Sequence, residues 1–254
     1  MARVWMRGAR EMKALIVSDV HSNMEAFKAA IEHAQQRGGF DEIWSLGDLV
    51  GYGPDPSACV DLLRSYAHNA VAGNHDLAAV GSISVERFNP YAAAANHWTA
   101  EQLTQEQAEY LGSLPLTLEI DEFTLAHGSP RDPIWEYLVT VESAIACFTH
   151  IDTYWCLVGH SHMPFLCIPR LDGAAFMAFP EGRAIQLDEK ALIVNPGSVG
   201  QPRDGDPRAS YVVYDDAVQT LEHRRIEYDI AVTQDKMRRH GLPDYLIDRL
   251  TVGR

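Results

Sequence analysis

The chain has 254 residues, of which 46% are hydrophobic and 22% charged, a composition typical of a globular protein with one large domain or two small ones. Its net charge of −14, with no basic run to offset it, argues against binding to a nucleic-acid backbone. No stretch approaches the ~20 apolar residues that cross a bilayer, and the basic N-terminal extension 1–12 lacks a secretory signal's apolar segment, so we expect a cytoplasmic protein.

The first half of the chain predicts alternating strands and helices. The apolar run KALIVS (13–18) is typical of a buried strand, and the segment after Asn23 carries apolar residues at helical spacing. A second strand, EIWSL (42–46), leads through the turn GYGPDP into a helix and then a third short strand, NAVAG. This order predicts a layered α/β domain whose strands are at least partly parallel.

The second half predicts helices first and then a dense series of strands. Residues 89–112 have a helical pattern and form most of an expected insertion at about 85–113, where Trp98, Leu103 and Leu111 are placed to cover the core. The segment LTLEI-DE-FTLAHG predicts a hairpin, and short strands follow it. We expect two packed sheets flanked by helices in a domain over 13–228, followed by an amphipathic helical tail over 229–254.

The four cysteines differ in their pattern from the Asp, Asn and His residues that could bind a metal. The four cysteines form no C-x-x-C pair and lie in apolar surroundings, which predicts buried reduced thiols. In contrast, five strand-like runs end in Asp, Asn or His, and ligand crevices of open α/β sheets lie at the carboxyl ends of strands. The residues expected at this common rim are Asp19, His21, Asp48, Asn74, His75, Asp76, His127, His160 and His162.

This residue set favours a metal site. Each fragment alone is typical of a turn or a satisfied polar strand end, but their joint occurrence after strands is not. Side chains of Asp, Asn and His without Cys suit hard to borderline divalent metals. A catalytic zinc site uses about three protein ligands, so this larger set indicates two ions about 3.5–4 Å apart, an arrangement suited to in-line displacement at phosphorus.

The segment GHSH carries the strongest local pattern. His160 and His162 stand two residues apart, and in an extended segment their imidazoles face the same side. Ser161 lies between them but lacks the G-x-S-x-G pattern of a serine nucleophile. The sequence therefore favours two metal-binding imidazoles over a catalytic serine.

These motifs together resemble the signature of a known family. Asp19-x-His21, Gly47-Asp48, Gly73-Asn74-His75-Asp76, His127 and Gly159-His160-x-His162 resemble the five motifs of the calcineurin-like metallophosphoesterase superfamily. The segment NPGSVGQPRD (195–204) resembles a late motif of its small bacterial phosphodiesterase branch. The resemblance covers roughly residues 13–228 and implies an α/β fold of two packed mixed β-sheets in a sandwich, flanked by helices on both outer faces.

The resemblance also implies a role for each matching residue. The first ion would be held by Asp19, His21, Asp48 and His162. The second would be held by Asp48, Asn74, His127 and His160. Asp48 would then bridge the ions, and a bridging hydroxide would attack phosphorus in line.

The same resemblance places two further residues beside the phosphate. His75 would lie over it, stabilising charge or protonating the leaving oxygen, and Asp76 would orient the His75 imidazole through a hydrogen bond. From the residues alone, a structural role for His75 and a helix-capping role for Asp76 stay open.

Two departures narrow the substrate class. The protein Ser/Thr phosphatases and diadenosine tetraphosphatases of the family carry Asp-Arg-Gly after the G-D motif and Glu after GNH, whereas this chain reads GDLVGYGPDP and GNHD. Arg131 and Arg203 are the candidate contacts to a substrate phosphate, with a surface salt bridge as the alternative for each. Residues 195–198 are expected to shape a turn near the site. Tyr52, Trp135 and Tyr137 are candidates for the pocket mouth, with simple packing as the alternative.

The sequence thus predicts a dinuclear metal-dependent phosphoesterase that acts on a phosphodiester or a small phosphomonoester. Two divalent ions are expected, Mn²⁺ first, although mixed N/O ligands also accept Fe, Zn, Co or Ni. The alternatives are a non-catalytic metal-binding scaffold of the same fold and a nuclease, which the acidic surface disfavours. The expected partner is a small phosphate ester, with neither membrane nor nucleic acid, and the oligomeric state stays open.

Overall fold

The computed structural model describes residues 12–254 and consists of two six-stranded sheets with helices. The expected extension 1–12 therefore lies almost wholly outside the described residues. The elements are, in chain order, β1 (Lys13–Val17), α1 (Met24–Gln36), β2 (Glu42–Ser45), α2 (Pro56–Arg64), β3 (His68–Ala70), α3 (Asn74–Ala79), α4 (Pro90–Gln102), α5 (Gln105–Ser113), β4 (Thr117–Ile120), β5 (Phe123–Ala126), α6 (Val141–Phe148), β6 (Trp155–Leu157), β7 (Pro164–Arg170), β8 (Gly173–Ala178), β9 (Ala184–Gln186), β10 (Leu192–Pro196), β11 (Ala209–Asp215), β12 (Thr220–Ile226), α7 (Ile230–Arg239) and α8 (Asp244–Asp248).

Each sheet mixes parallel and antiparallel pairs. The first has the order β3-β2-β1-β11-β12-β9, with β1, β2 and β3 parallel to one another. The second has the order β4-β5-β6-β10-β7-β8, with β5, β6 and β10 parallel. The parallel strands of the two sheets end at the same edge, which brings the loops that follow them together.

The two sheets pack face to face through buried apolar side chains. Trp44 of β2 contacts Phe123 of β5 with ring centroids 5.2 Å apart, and Ile16, Leu125 and Val194 belong to the same cluster. A second cluster buries α1 and α2 against the outer face of the first sheet. Another buries α6 on the outer face of the second sheet. The predicted sandwich with helices on both outer faces is confirmed.

Strand β7 was not predicted from the sequence, because its run PFLCIPR contains two prolines. Pro164 is the first residue of the strand, where the absence of an N–H is tolerated, and Pro169 lies near its other end. Residues 165–167 between them are buried, and the strand lies between β10 and β8. The burial of residues 165–167 therefore stabilises the strand more than the two prolines destabilise it.

The segment around residues 85–113 contains a 3-10 turn (Val85–Arg87) followed by α4 and α5. The helical pattern is interrupted at Leu103, where the backbone is extended and Thr104 caps α5 by accepting from the Gln107 amide. Leu111 is buried in the main core and Leu103 packs against it, as expected. Trp98 instead packs with the C-terminal helices, so its predicted place over the core was wrong.

Helices α4, α7 and α8 meet beside the sheet edge. Ala92 and Ala95 of α4 pack against Met237 of α7 and Leu246 of α8, and Tyr52 belongs to the same cluster. The C-terminal segment thus docks on the outside of the sandwich. No helix within residues 12–254 is long and apolar enough to cross a membrane. The four cysteines are free and buried, as predicted.

Candidate metal centre

The predicted metal ligands lie together at one edge of the sandwich. Each follows the end of a parallel strand, and none is more than 4% exposed. Asp19 and His21 follow β1, Asp48 follows β2, Asn74 begins α3 after β3, His127 follows β5, and His160 and His162 follow β6. The chain therefore concentrates carboxylate, amide and imidazole groups in a buried place, where polar groups must find partners.

The backbone at five of these residues is left-handed. The φ angles are 52° at Asp19, 48° at His21, 52° at Asp48, 62° at His160 and 59° at His162. The expectation that GHSH is extended was therefore wrong. A non-glycine residue in this region costs free energy, and such residues persist where the surrounding structure fixes them. The loops after β1 and β2 supply such support, since the amides of Asp19 and His21 donate to the carbonyls of Gly47 and Asp48.

The first group of ligands presents only acceptor atoms to its centre. The Nδ1 of His21 lies 3.2 Å from the Val50 carbonyl, and the Nδ1 of His162 lies 2.6 Å from the Gln201 carbonyl. Because a carbonyl only accepts, each Nδ1 carries the proton and each Nε2 exposes a lone pair. Yet the two Nε2 atoms are 3.2 Å apart, and Asp19 Oδ1 lies 3.2 Å from the His162 Nε2. Two acceptor atoms this close repel each other unless a proton or a cation lies between them.

The second group has the same character. His127 Nδ1 lies 2.8 Å from the Leu46 carbonyl, so Nδ1 carries a proton and Nε2 is the ring atom that faces the other ligands. That Nε2 is 3.0 Å from Asn74 Oδ1, 3.1 Å from His160 Nδ1 and 3.3 Å from Asp48 Oδ2. Asp48 Oδ2 also lies 3.7 Å from the His21 Nε2 of the first group. Asp48 thus stands between the groups, where one carboxylate can serve two cations.

The electrostatics show the same demand for positive charge. Burial alone would raise the pKa of Asp19 and Asp48, but His162 beside Asp19 and His127 beside Asp48 hold both values well below the usual range. Burial would lower the pKa of His127, yet the neighbouring Asp48 carboxylate raises it to about 9. The carboxylates therefore draw a positive charge to the positions where the acceptor atoms converge.

The side chains of His75 and Asp76 do not form the predicted pair. The Asp76 carboxylate accepts from the backbone amides of Gly73 (2.9 Å) and Val50 (3.0 Å), so it caps α3 and fixes the loop after Asp48. His75 Nδ1 instead lies 3.2 Å from Oδ1 of Asn96 on α4. Within residues 12–254 no hydrogen bond joins Asp76 to the His75 imidazole, because the Asp76 carboxylate faces the backbone amides at the start of α3 and after Asp48.

The pKa values of His75 and Asp76 are shifted in opposite directions. Burial lowers the pKa of His75 to about 4. Burial, together with the nearby charge of Asp48, raises the pKa of Asp76 to about 7, although the two backbone donors act in the opposite direction. Both side chains are buried, with His75 3% exposed at the floor of a cleft.

This cleft has a volume of about 160 Å³ and opens directly onto the ligand groups. The three predicted aromatic residues Tyr52, Trp135 and Tyr137 line it, as does Arg203. The Arg203 guanidinium donates to Gln201 Oε1 at 3.0 Å, and its buried Nε has no partner among the described residues. A half-buried cation of this kind is suited to hold an anion.

Two further arginines, Arg131 and Arg87, differ in their position relative to the cleft. Arg131 pairs with Glu136 and is not among the residues that line the cleft, so its predicted substrate contact has no support in the geometry. Arg87, which the sequence analysis missed, lines the cleft with its guanidinium 4.2 Å from the Trp135 ring centroid. It precedes α4 and carries no local motif that signals a role.

The turn expected at 195–198 begins only where β10 ends at Pro196, and residues 195–198 contact the loops that carry the ligands. Asn195 Nδ2 donates to the Gly159 carbonyl at 2.7 Å and to Ser161 Oγ at 3.1 Å. The Ser198 hydroxyl donates to the Asp19 carbonyl at 2.8 Å. Through these hydrogen bonds, residues 195–198 connect the GHSH segment to the loop after β1.

Comparisons with known proteins agree with this arrangement. A family model described as the calcineurin-like phosphoesterase superfamily domain matches residues 12–217. The crystal structure of a metallophosphoesterase from Sphaerobacter thermophilus is 44% identical, covers 96% of this chain and 100% of its own, and superposes with a TM-score of 0.87. An uncharacterized protein of Methanocaldococcus jannaschii is 38% identical over 244 residues, 94% of this chain and 97% of that protein. A symmetrical bis(5'-nucleosyl)-tetraphosphatase of Glaesserella parasuis is 28% identical over 138 residues, 52% of this chain and 50% of the enzyme.

Proposed function

Because the chain belongs to the calcineurin-like phosphoesterase superfamily, we propose that it is a dinuclear metal-dependent phosphoesterase that hydrolyses a phosphodiester or a small phosphomonoester. The observation that carries the proposal is the convergence of buried acceptor atoms that cannot satisfy one another. The Nε2 atoms of His21 and His162 face each other at 3.2 Å, and the buried Asp19 Oδ1 has no hydrogen-bond donor among the described residues.

The proposed ligand sets follow the two groups of side chains. Asp19, His21 and His162 would hold one ion, and Asn74, His127 and His160 the other, with Asp48 shared. Support comes from two sets of potential ligand atoms within 4.8 Å of one another, Asp19–His21–His162 and Asp48–His127–His160. The N/O donor set without sulfur fits Mn²⁺, our first choice, and also Fe, Zn, Co or Ni. His75 also lies close to His21 and Asp48, but we assign it to the substrate because its Nδ1 already faces Asn96.

When bound, two such metal ions supply Lewis acidity to the phosphoryl oxygens and a water of lowered pKa. The protein's own residues do the rest. His75, at the floor of the cleft, would hold a proton for the leaving oxygen at its Nε2. Arg203 would bind a non-bridging oxygen, and Asp76 would fix the start of α3, which carries both Asn74 and His75.

The proposed substrate is a small phosphate ester rather than a polymer. The tetraphosphatase relative matches only half of its own length, and the arginine of its G-D motif is absent here. The net charge of −14 disfavours long nucleic acid. We therefore place the substrate among small diesters and monoesters.

The proposal is tested by metal reconstitution. Protein stripped with a chelator and reloaded with Mn²⁺ is expected to hydrolyse bis-p-nitrophenyl phosphate and to contain two ions per chain by elemental analysis. Asp48→Asn is expected to lose turnover and metal, whereas Asp188→Asn, an exposed acidic residue paired with Lys190, is the matched control. Lack of activity with all five metals, or a metal content well below two, would overturn the proposal.

A further inference from the structure

We infer that Asn96, on the insertion helix α4, is the positioning residue for His75. This inference rests on the proposed function, because it concerns how the His75 ring is held over the substrate. Asn96 lies twenty residues beyond the G-N-H-D motif and belongs to none of the motifs that carry the family resemblance.

The hydrogen bond between these side chains is buried and fixes one ring nitrogen. His75 Nδ1 lies 3.2 Å from Asn96 Oδ1, and Asn96 is 1% exposed. Because the amide oxygen only accepts, Nδ1 carries a proton, which leaves Nε2 as the ring atom available to the cleft. The hydrogen bond therefore determines which ring nitrogen faces the cleft.

Neighbouring groups fix the plane of the ring but not its nitrogens. Tyr52 and Phe88 lie with ring centroids 4.3 and 4.9 Å from that of His75. Gly51 approaches so closely that a Cβ there would lie 2.4 Å from His75 Nδ1. These contacts would equally accept a ring turned by 180°, whereas the hydrogen bond to Asn96 distinguishes the two orientations.

No other side chain in residues 12–254 shows a hydrogen bond to the His75 ring. Asp76, the sequence neighbour that could do so, uses both carboxylate oxygens on backbone amides. The polar contact of His75 therefore comes from the insertion, and α4 contributes to the site as well as to its wall.

The kinetic test compares two leaving groups. The p-nitrophenyl ester of thymidine 5'-phosphate releases a stable anion, whereas the phenyl ester needs a proton on its leaving oxygen. Asn96→Leu is expected to slow the phenyl ester by on the order of 10²-fold or more, the typical size of general acid catalysis, and to affect the p-nitrophenyl ester far less. Asn96→Asp keeps an acceptor oxygen and is expected to recover part of the phenyl ester activity.

The matched control is Thr99→Val on the same helix. Thr99 is also buried, its hydroxyl has no partner among the described residues, and the substitution keeps the side-chain shape. It is expected to leave the ratio of the two ester rates unchanged. A ratio that stays at the wild-type value in Asn96→Leu, or that moves equally in Thr99→Val, would overturn the inference.

A second measurement does not depend on turnover. Imidazole ¹⁵N spectra of metal-free wild-type protein, with the His75 signals assigned by their loss in His75→Gln, are expected to show the Nδ1–H tautomer. An Nε2–H tautomer would contradict the hydrogen bond. If wild-type protein cleaves neither ester with any metal, the proposed function fails, and these spectra still decide the role of Asn96.

Discussion

The backbone of Gly73 packs tightly against the predicted ligand Asp48. A Cβ at residue 73 would lie 2.1 Å from Asp48 Oδ1 and 2.3 Å from Asp48 N, distances that real Cβ atoms do not show. Gly73 has an extended backbone (φ −96°, ψ 173°), so alanine introduces a steric conflict and no strain in φ. The Asp48 loop would have to move by about 1.4 Å or more to reach ordinary van der Waals contact.

We therefore expect Gly73→Ala to lower the free energy of unfolding by about 1–3 kcal/mol, the usual cost of overpacking a buried site. The expected loss also includes metal binding, because the displaced carboxylate is the one shared by both ligand groups. The measurements are urea unfolding of the metal-free protein and the metal content after reconstitution.

Gly112 on α5 provides a control of opposite sign. An alanine Cβ there meets only Val80 Cγ2, at an ordinary 3.7 Å, and α5 continues through the residue. Gly112→Ala is expected to raise the free energy of unfolding by about 0.4–1 kcal/mol, because alanine restricts the unfolded chain. If Gly73→Ala unfolds at the wild-type urea concentration and retains its metals, the steric reasoning is refuted.

Three further predictions concern the cleft, the ions and a buried histidine. Arg203→Met is expected to raise the substrate KM about tenfold or more, since a hydrogen bond to a charged group contributes about 1.5–3 kcal/mol. The control is Arg183→Met at an exposed position. If Arg203→Met has the same KM as the wild-type protein, the proposed role of Arg203 is contradicted. Removing metal is expected to lower Tm, because ions that bind only the folded state at 100-fold their Kd stabilise it by about 2.7 kcal/mol; a Tm that Mn²⁺ does not restore would count against the site. Burial lowers the pKa of His223 to about 4. The unfolded chain, with a pKa near 6.5, thus binds that proton first, and up to about 3 kcal/mol of stability present above pH 6.5 is lost as the pH falls toward 4. His223→Gln is expected to flatten this part of the curve in denaturation at pH 8 and pH 4.5, and an unchanged slope would be inconsistent with it.

The convergence of the ligand residues could be predicted because it depends on local rules. Asp19, Asp48 and His127 each follow a short apolar strand, and parallel strands end at a common edge. The residue type and its position relative to the strand were therefore sufficient to predict that these side chains lie together, without any knowledge of tertiary contacts.

The partner of His75 could not be predicted in this way. Asp76 is adjacent in sequence and has the right chemistry, but the local geometry of the α3 N-terminus turns its carboxylate toward backbone amides. Asn96 lies within an ordinary helical pattern, and only the packing of α4 against the sheet edge brings it to His75. The left-handed backbone at His160 and His162 was missed for a similar reason, since surrounding loops impose it against the residues' own preference.

The wall of the cleft is built separately from its floor. The ligand side chains stand on loops of the sandwich, whereas Arg87, Phe88 and Asn89 come from the segment that leads into α4. That segment is held in place by apolar contacts between α4 and the C-terminal helices. The candidate site thus has two structurally separate parts, and under the proposed function we expect an exchange of residues 85–113 with a relative, with Asn96 retained, to change selectivity for the ester and leave the predicted metal ligands in place.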